Sequence, residues 1–197
     1  GAIPVVVDVF DAPTLGLVFR AVKPDAVIHQ LTDLATMREP GRLDDALRRN
    51  AEIRTIGTAN LVKAAVSAGV ERMVAQSLGW AYRPGTEPHA EQTPLDLHAA
   101  GARGITVAGV AALEHWVLDT PGLHGSVLRY GQIYGPGTGN DSASGNAWPL
   151  HVEAAAWAAV LALEKQAVGA FNVAEPNDHI NTEKIRRELG WHESLRV

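Results

Sequence analysis

The residues from Leu128 to Gly137, LRYGQIYGPG, gather an unusual number of groups able to do chemistry. Val127 and Leu128 read as a buried strand, and Gly135-Pro136-Gly137 ends it in a turn. Ligands of α/β sheets sit at the carboxyl ends of strands, so Arg129, Tyr130, Gln132 and Tyr134 emerge where a site is expected. A second cluster, Ala75-Gln76-Ser77-Leu78-Gly79, is close to the G-x-S-x-G nucleophile elbow of serine hydrolases. Asp119 or Glu153, then His179 or His192, follow in a triad's chain order. That elbow must feed directly into a helix, and the loop-forming run from Ser77 to Pro94, with Pro84-Gly85, opposes one. The eight histidines are scattered without H-E-x-x-H or paired spacing, so no metal site is read.

The elements that must position these groups alternate. Ile3 to Val7 reads as a strand with Pro4 near its start, ending at Asp8. Leu15, Val18, Phe19 and Val22 recur at helical spacing until Lys23-Pro24. Asp25 to Gln30 is a second strand, and Arg42 to Ala68 a long helix with Ile53, Ile56, Leu61, Ala64 and Ala65 on one stripe. Gly57 permits close approach to the sheet, and Gly69 is the stop. Arg72 to Gln76 is a third strand, Ile105 to Leu118 a helix, and Ser126 to Tyr130 a fourth strand. His151 to Leu163 reads as a helix around Trp157, with Trp148 just before it, both taken as core; Gly169 to Val173 is a strand, and Thr182 N-caps a final helix to Leu189. Alternating strand and helix predict a parallel, doubly wound α/β sheet.

Bulk properties narrow the function. A chain of 197 residues that is 46% hydrophobic buries a real core. Its formal charge of -5 repels a phosphate backbone, which argues against nucleic acid. Arg48, Arg49 and Arg54 interleave with Asp44, Asp45 and Glu52, the pattern of a solvated helix face. No apolar run reaches membrane-spanning length, and the absence of cysteine fits a reducing, cytoplasmic setting. The start, Gly1-Ala2-Ile3-Pro4, carries no initiator Met, so the expectation is a chain that begins part-way through something longer.

Taken in order, Asp8-Val9-Phe10-Asp11, DAVIHQLT, VAQS, LRYGQIYGPG, LHVEAAAWAAVLALE, GAFNV and KIRRELGW resemble the extended short-chain dehydrogenase/reductase superfamily, its NAD-dependent epimerase/dehydratase group. The resemblance covers nearly the whole chain. It implies a Rossmann-like sheet and NAD or NADP as cofactor. Asp8 and Val9 match the pair that contacts adenine, and His29, Gln30 and Leu31 the strand end along the ribose and phosphates. Tyr130 matches a position near the nicotinamide. Gln132 matches a substrate position, and Trp80 and Tyr134 are further substrate-side candidates.

The departures matter as much. The superfamily's Tyr-x-x-x-Lys frame, placed by Glu114, falls on Thr106 and Val110. Thr106 is a far weaker acid than a phenol, and Val110 carries no charge, so Ser77 and Tyr82 join Thr106 as candidate catalytic groups. No G-x-x-G-x-x-G turn is present, and the segments at 138–150 and 174–180 look short for the family, so residues are expected to be missing there and before Gly1. The expected organisation is a partial dinucleotide-binding domain over 1–135 with a substrate-side region over 136–197. The implied function is NAD(P)-dependent redox chemistry or epimerisation on a small carbonyl, alcohol or sugar, with a non-catalytic NAD(P)-binding protein as the alternative. By resemblance, the 42–68 and 105–118 helices are the candidates for a homodimer contact.

Overall fold

The computed structural model describes residues 1–196. Along the chain run α1 (Ala12–Val22), β1 (Val27–His29), α2 (Leu43–Glu52), a π-helical turn (Ile53–Gly57), α3 (Thr58–Ser67), β2 (Arg72–Leu78), α4 (Gly101–Leu118), β3 (His124–Tyr130), β4 (Gln132–Tyr134), β5 (Pro149–His151), α5 (Val152–Glu164), β6 (Gly169–Val173) and α6 (Glu183–Leu189). The main sheet has the order β1-β2-β3-β6 and every pairing in it is parallel. Residues after 136 complete this sheet through β6, while β4 and β5 form a small parallel ladder beside it.

Both faces of the sheet are apolar, as a parallel sheet covered by helices requires. Met73, Ala75 and Val127 meet α1, α3 and α4 through Leu15, Phe19, Leu61, Val62, Leu113 and Val117. Their neighbours one residue on or back, Val74 and Leu128, point to the other side, into the alanines of α5 and Ile185, Leu189 and Trp191. The small alanine stripe of α5 lets the helix lie close, so Tyr130 donates its hydroxyl to the Ala155 carbonyl (2.8 Å).

Several expectations change. Ile3–Val7 joins no ladder among the described residues, and Val6 is 99% exposed. A β-branched run makes a strand only where a neighbour accepts its backbone bonds. Thr182 stands at the N-cap of α6 but its hydroxyl accepts from Arg186 Nε (3.4 Å) rather than capping the backbone; Asn181 Oδ1 accepts the Glu183 N–H instead (2.8 Å). Trp148 and Trp157 are half-buried rather than core, and the Trp157 indole donates to the Arg196 carbonyl (3.0 Å).

The 42–68 helix is interrupted by the π turn at Ile53–Gly57. Buried positions nevertheless run on through it at three- and four-residue spacing, at Ala46, Asn50, Ile53, Arg54, Gly57, Leu61 and Ala65. Ile56 faces away from that run and is 51% exposed, whereas Arg54, expected on the solvated face, lies on it four residues after Asn50 and is only 7% exposed. Gly57 does its close packing against Val9, whose Cγ1 a Cβ there would approach to 3.1 Å, rather than against the sheet. At Gly131 a Cβ would overlap the Trp148 carbonyl; that bare backbone lets the chain leave β6, through Gly131 N–H to Val173 C=O (2.9 Å), and begin pairing with β5.

Candidate functional site

A cavity of about 460 Å³ opens past the carboxyl end of β2, a volume suited to a small organic molecule. Leu78 and Trp80 come from β2 and its following turn, Leu34 and Met37 from the segment after β1, and Leu47 from α2. These walls are apolar. The polar groups are few: Asn50 of α2, Arg54 of the π turn, and Arg103 and Thr106 of α4.

Most of those polar groups are committed to building the walls. Asn50 accepts the Asp33 N–H (2.8 Å) and donates to the Asp33 and Ala46 carbonyls, which clamps the post-β1 segment to α2. Arg103 pairs with Asp96 (2.9 Å) and donates to the carbonyls of Trp80 and Tyr82, fixing the 80–82 turn while its guanidinium lies 5.6 Å from the Trp80 ring centre. Thr106 donates to the Ala102 carbonyl of its own helix (3.1 Å). A smaller cavity of about 180 Å³ adjoins, sharing Trp80 and Arg103 and lined also by Tyr82, His89 and Trp148; His89 Nδ1 and Trp148 Nε1 are buried there without partners.

Arg54 is different. Among the described residues it makes no hydrogen bond and no ion pair, and burial alone brings its guanidinium down to about 10. Its charge also acts on His29, whose pKa falls to about 4, burial being the larger cause and Arg54 the second. The His29 ring is neutral at pH 7, bound through Nε2 to Thr58 Oγ1 (2.9 Å), and Nδ1 accepts the Leu31 N–H (3.3 Å).

A second charged centre is buried across β2 and β3. Arg129 forms a two-pronged pair with Glu114, Nε to Oε1 at 2.9 Å and Nη2 to Oε2 at 2.7 Å. Ser77 donates to Glu114 Oε1 (2.6 Å), and Arg129 Nη1 donates to the Tyr82 hydroxyl (3.0 Å) and the Glu91 carbonyl (2.9 Å). Tyr82 in turn donates to Asn172 Oδ1 (2.5 Å). Burial opposes the Arg129 charge, but Glu114 outweighs it and the guanidinium is held above its ordinary pKa. Burial raises the Tyr82 phenol, with Arg129 partly offsetting.

The structure therefore links Ser77 and Tyr82 through the Glu114–Arg129 pair and leaves Thr106 apart from them. Thr106 and Trp80 line the larger cavity, Tyr82 lines the smaller one with its hydroxyl turned to Arg129 and Asn172, and Ser77 is buried against Glu114. No helix follows Ser77 until Gly101, which removes the context of a nucleophile elbow. Asp8 caps its own turn through the Phe10 N–H (2.9 Å), Val9 accepts from Asn60 Nδ2 (3.0 Å), and Gln30 and Leu31 lie exposed past β1. Tyr130 is buried on α5. Gln132 accepts the Ala147 N–H (2.9 Å), and the Tyr134 hydroxyl donates to Glu175 (2.7 Å), both away from the larger cavity.

Sequence reasoning missed Asn50, Arg54 and Arg103 as cavity residues. The local signal was helical spacing: Arg54 follows Leu47 by seven residues and Asn50 by four, which sets all three on one face.

Comparison with known proteins places this geometry. The chain is 38% identical over 191 residues to a 3-diazoavenalumate denitrifying reductase of Streptomyces sp., covering 87% of this chain and 62% of that protein, so it spans less than two thirds of the relative's length. The crystal structure of the Bordetella bronchiseptica enzyme WbmG in complex with NAD superposes with a TM-score of 0.75 at 21% identity, covering 98% of this chain and 74% of that one. The structure of RMD from Pseudomonas aeruginosa complexed with NADPH gives 0.77 at 17% identity, covering 98% and 84%. Residues 3–167 match the model of one family, and with a doubly wound sheet and a strand-end cavity already in view, the chain belongs to the NAD dependent epimerase/dehydratase family.

Proposed function

We propose that the protein is an NAD(P)-dependent oxidoreductase or epimerase/dehydratase acting on a small carbonyl, alcohol or sugar. Family membership, joined to a cavity of small-molecule size at the carboxyl end of the sheet, carries this reading. The reductase relative favours the redox branch.

The residues present suit part of a dinucleotide. Asp8 is exposed and spends one carboxylate oxygen on its own turn, which leaves the other for an adenosine donor. Gln30 and Leu31 form an exposed shelf whose backbone is steadied by the His29 ring and Thr58. His29 and Tyr130 are buried, so they support the shelf and the adjoining strand rather than touch the cofactor directly. No glycine-rich G-x-x-G-x-x-G turn lies within residues 1–197, so the groups named here serve the adenosine side of the cofactor. When bound, the nicotinamide supplies or accepts the hydride. This chain's residues would orient the substrate: Trp80 and the leucines exclude water, and Thr106 offers its oxygen as a hydrogen-bond partner. Gln132 and Tyr134 serve a larger substrate reaching β4.

A cytoplasmic, homodimeric enzyme is part of the proposal, with α2–α3 and α4 as the contact, where Ile56 and Ile105 are exposed. Among the described residues no helix is long and apolar enough to cross a membrane. The second reading, a protein that binds NAD(P) without turnover, draws on Thr106 and Val110 standing where Tyr and Lys are usual.

Titration with NADH and NADPH, read by nicotinamide fluorescence, tests both readings, followed by cofactor oxidation with carbonyls, nucleotide sugars and a diazo compound. Binding with turnover is the expected result. Binding without turnover selects the second reading, and no binding of either nucleotide overturns both.

A further inference from the structure

We propose that the larger cavity binds a flat, apolar carboxylate and that Arg54 receives its carboxylate group. This inference rests on the reading of that cavity as the substrate site.

The argument starts from charge. A guanidinium cannot shed its proton at neutral pH, so a buried one needs an anion or a set of acceptors. Arg129 in the same molecule has both. Arg54 is 7% exposed, lines the cavity, and has neither among the described residues. The cavity's other described cation, Arg103, is neutralised by Asp96 and bound to two carbonyls, so among the described side chains Arg54 remains to receive a negative group.

The walls select the rest of the ligand. Leu34, Met37, Leu47, Leu78 and Trp80 offer apolar contact and almost no acceptors or donors, which suits a hydrocarbon or aromatic body and leaves a polyhydroxylated sugar poorly bonded. One planar fork of N–H donors matches the two oxygens of a carboxylate. A phosphate, with more oxygens and more charge, would need further donors that this cavity does not supply. Trp80, fixed by Arg103 over its ring, presents a rigid aromatic wall to the ligand.

Calorimetric titration of the cofactor-free protein with benzoate and cinnamate, each against its primary amide, tests the proposal. The expected result is at least a tenfold preference for one acid over its amide. Arg54→Met should abolish that preference, and Arg54→Lys, which keeps charge but not the fork, should keep part of it. Equal affinity for acid and amide, no binding of either acid, or an Arg54→Met protein that binds the acid like wild type overturns the proposal. Melting curves on each variant confirm that it is folded.

A parallel NADPH titration separates the two readings. If NADPH binds wild type but acids are not preferred, this inference fails and the cofactor reading stands. If acids are preferred but neither nicotinamide nucleotide binds, the cofactor reading fails. If Arg54→Met weakens NADPH binding and leaves acid binding intact, Arg54 serves a cofactor phosphate and the carboxylate assignment is wrong.

Discussion

Arg129 and Arg54 are buried to nearly the same extent, 6% and 7% exposed, within one molecule, yet their surroundings have little in common. Arg129 lies between β3 and α4, where Glu114 meets it at two points and Tyr82 and the Glu91 carbonyl take a third nitrogen. Arg54 lies on an irregular helical turn at a cavity wall, with His29 close enough to feel its charge and, among the described residues, no acid to answer it. The first arrangement returns in hydrogen bonds and attraction much of what desolvation costs. The second leaves the cost standing in the ligand-free protein. A satisfied buried charge organises a core, and an unsatisfied one at a cavity is poised for a ligand.

The most severe way to break this contrast is to make Arg129 resemble Arg54. Glu114→Ala leaves a guanidinium buried and unpaired and should cost about 3–5 kcal/mol of stability in urea unfolding. Replacing both partners, Arg129→Met with Glu114→Leu, should recover most of that loss. A single substitution that leaves the unfolding midpoint in place would show that the pair contributes nothing.

Acid sharpens the comparison from the Arg54 side. The His29 pKa is lowered from 6.5 to about 4 in the folded protein, so between those values the unfolded chain takes up a proton that the folded chain refuses. Stability from this group is complete above the unfolded value and declines as pH falls toward 4, by about 3 kcal/mol. His29→Gln should flatten that decline in urea titrations across the same range. Because Arg54 is the second cause of the shift, Arg54→Met should shorten the decline without removing it.

Arg54→Met is the converse substitution and should raise ligand-free stability by about 2 kcal/mol, since it removes a buried charge that nothing neutralises. Thermal melting without ligand reads the change, and a lower midpoint would mean that Arg54 has a structural partner after all. The smallest effect is expected for Tyr82→Phe, about 1–2 kcal/mol, because Arg129 Nη1 keeps the Glu91 carbonyl while Asn172 Oδ1 loses its donor. Turnover of an identified substrate should be little changed by that variant, given where the hydroxyl points.

Much of the scaffold was legible in the residues. The short runs at 72–76, 126–130 and 169–173 became neighbouring strands of one parallel sheet, and the 3.6-residue spacing at 15, 18, 19 and 22 became α1. Local pattern sufficed there because each run must bury its apolar side whatever lies opposite. Ile3–Val7 shows the limit of that rule, since a strand also needs a partner for its backbone, and no residue in the run specifies one.

The site was legible only in outline. Order of motifs along the chain pointed to the carboxyl end of the sheet, and Trp80 and Thr106 do lie at its cavity. Thr106 lines that cavity, while Val110, one turn on, is wholly buried in the core beside Ala81 and Val107. Tertiary structure alone decided which hydroxyls are free, sending those of Ser77 and Tyr82 into the Arg129 network. It alone decided the fate of two arginines that look alike in one dimension, because the fold brought Glu114 to Arg129 across 15 residues and, among the described residues, left Arg54 at a cavity wall without an anion. Charge pairing depends on distance in space, and sequence records only distance along the chain.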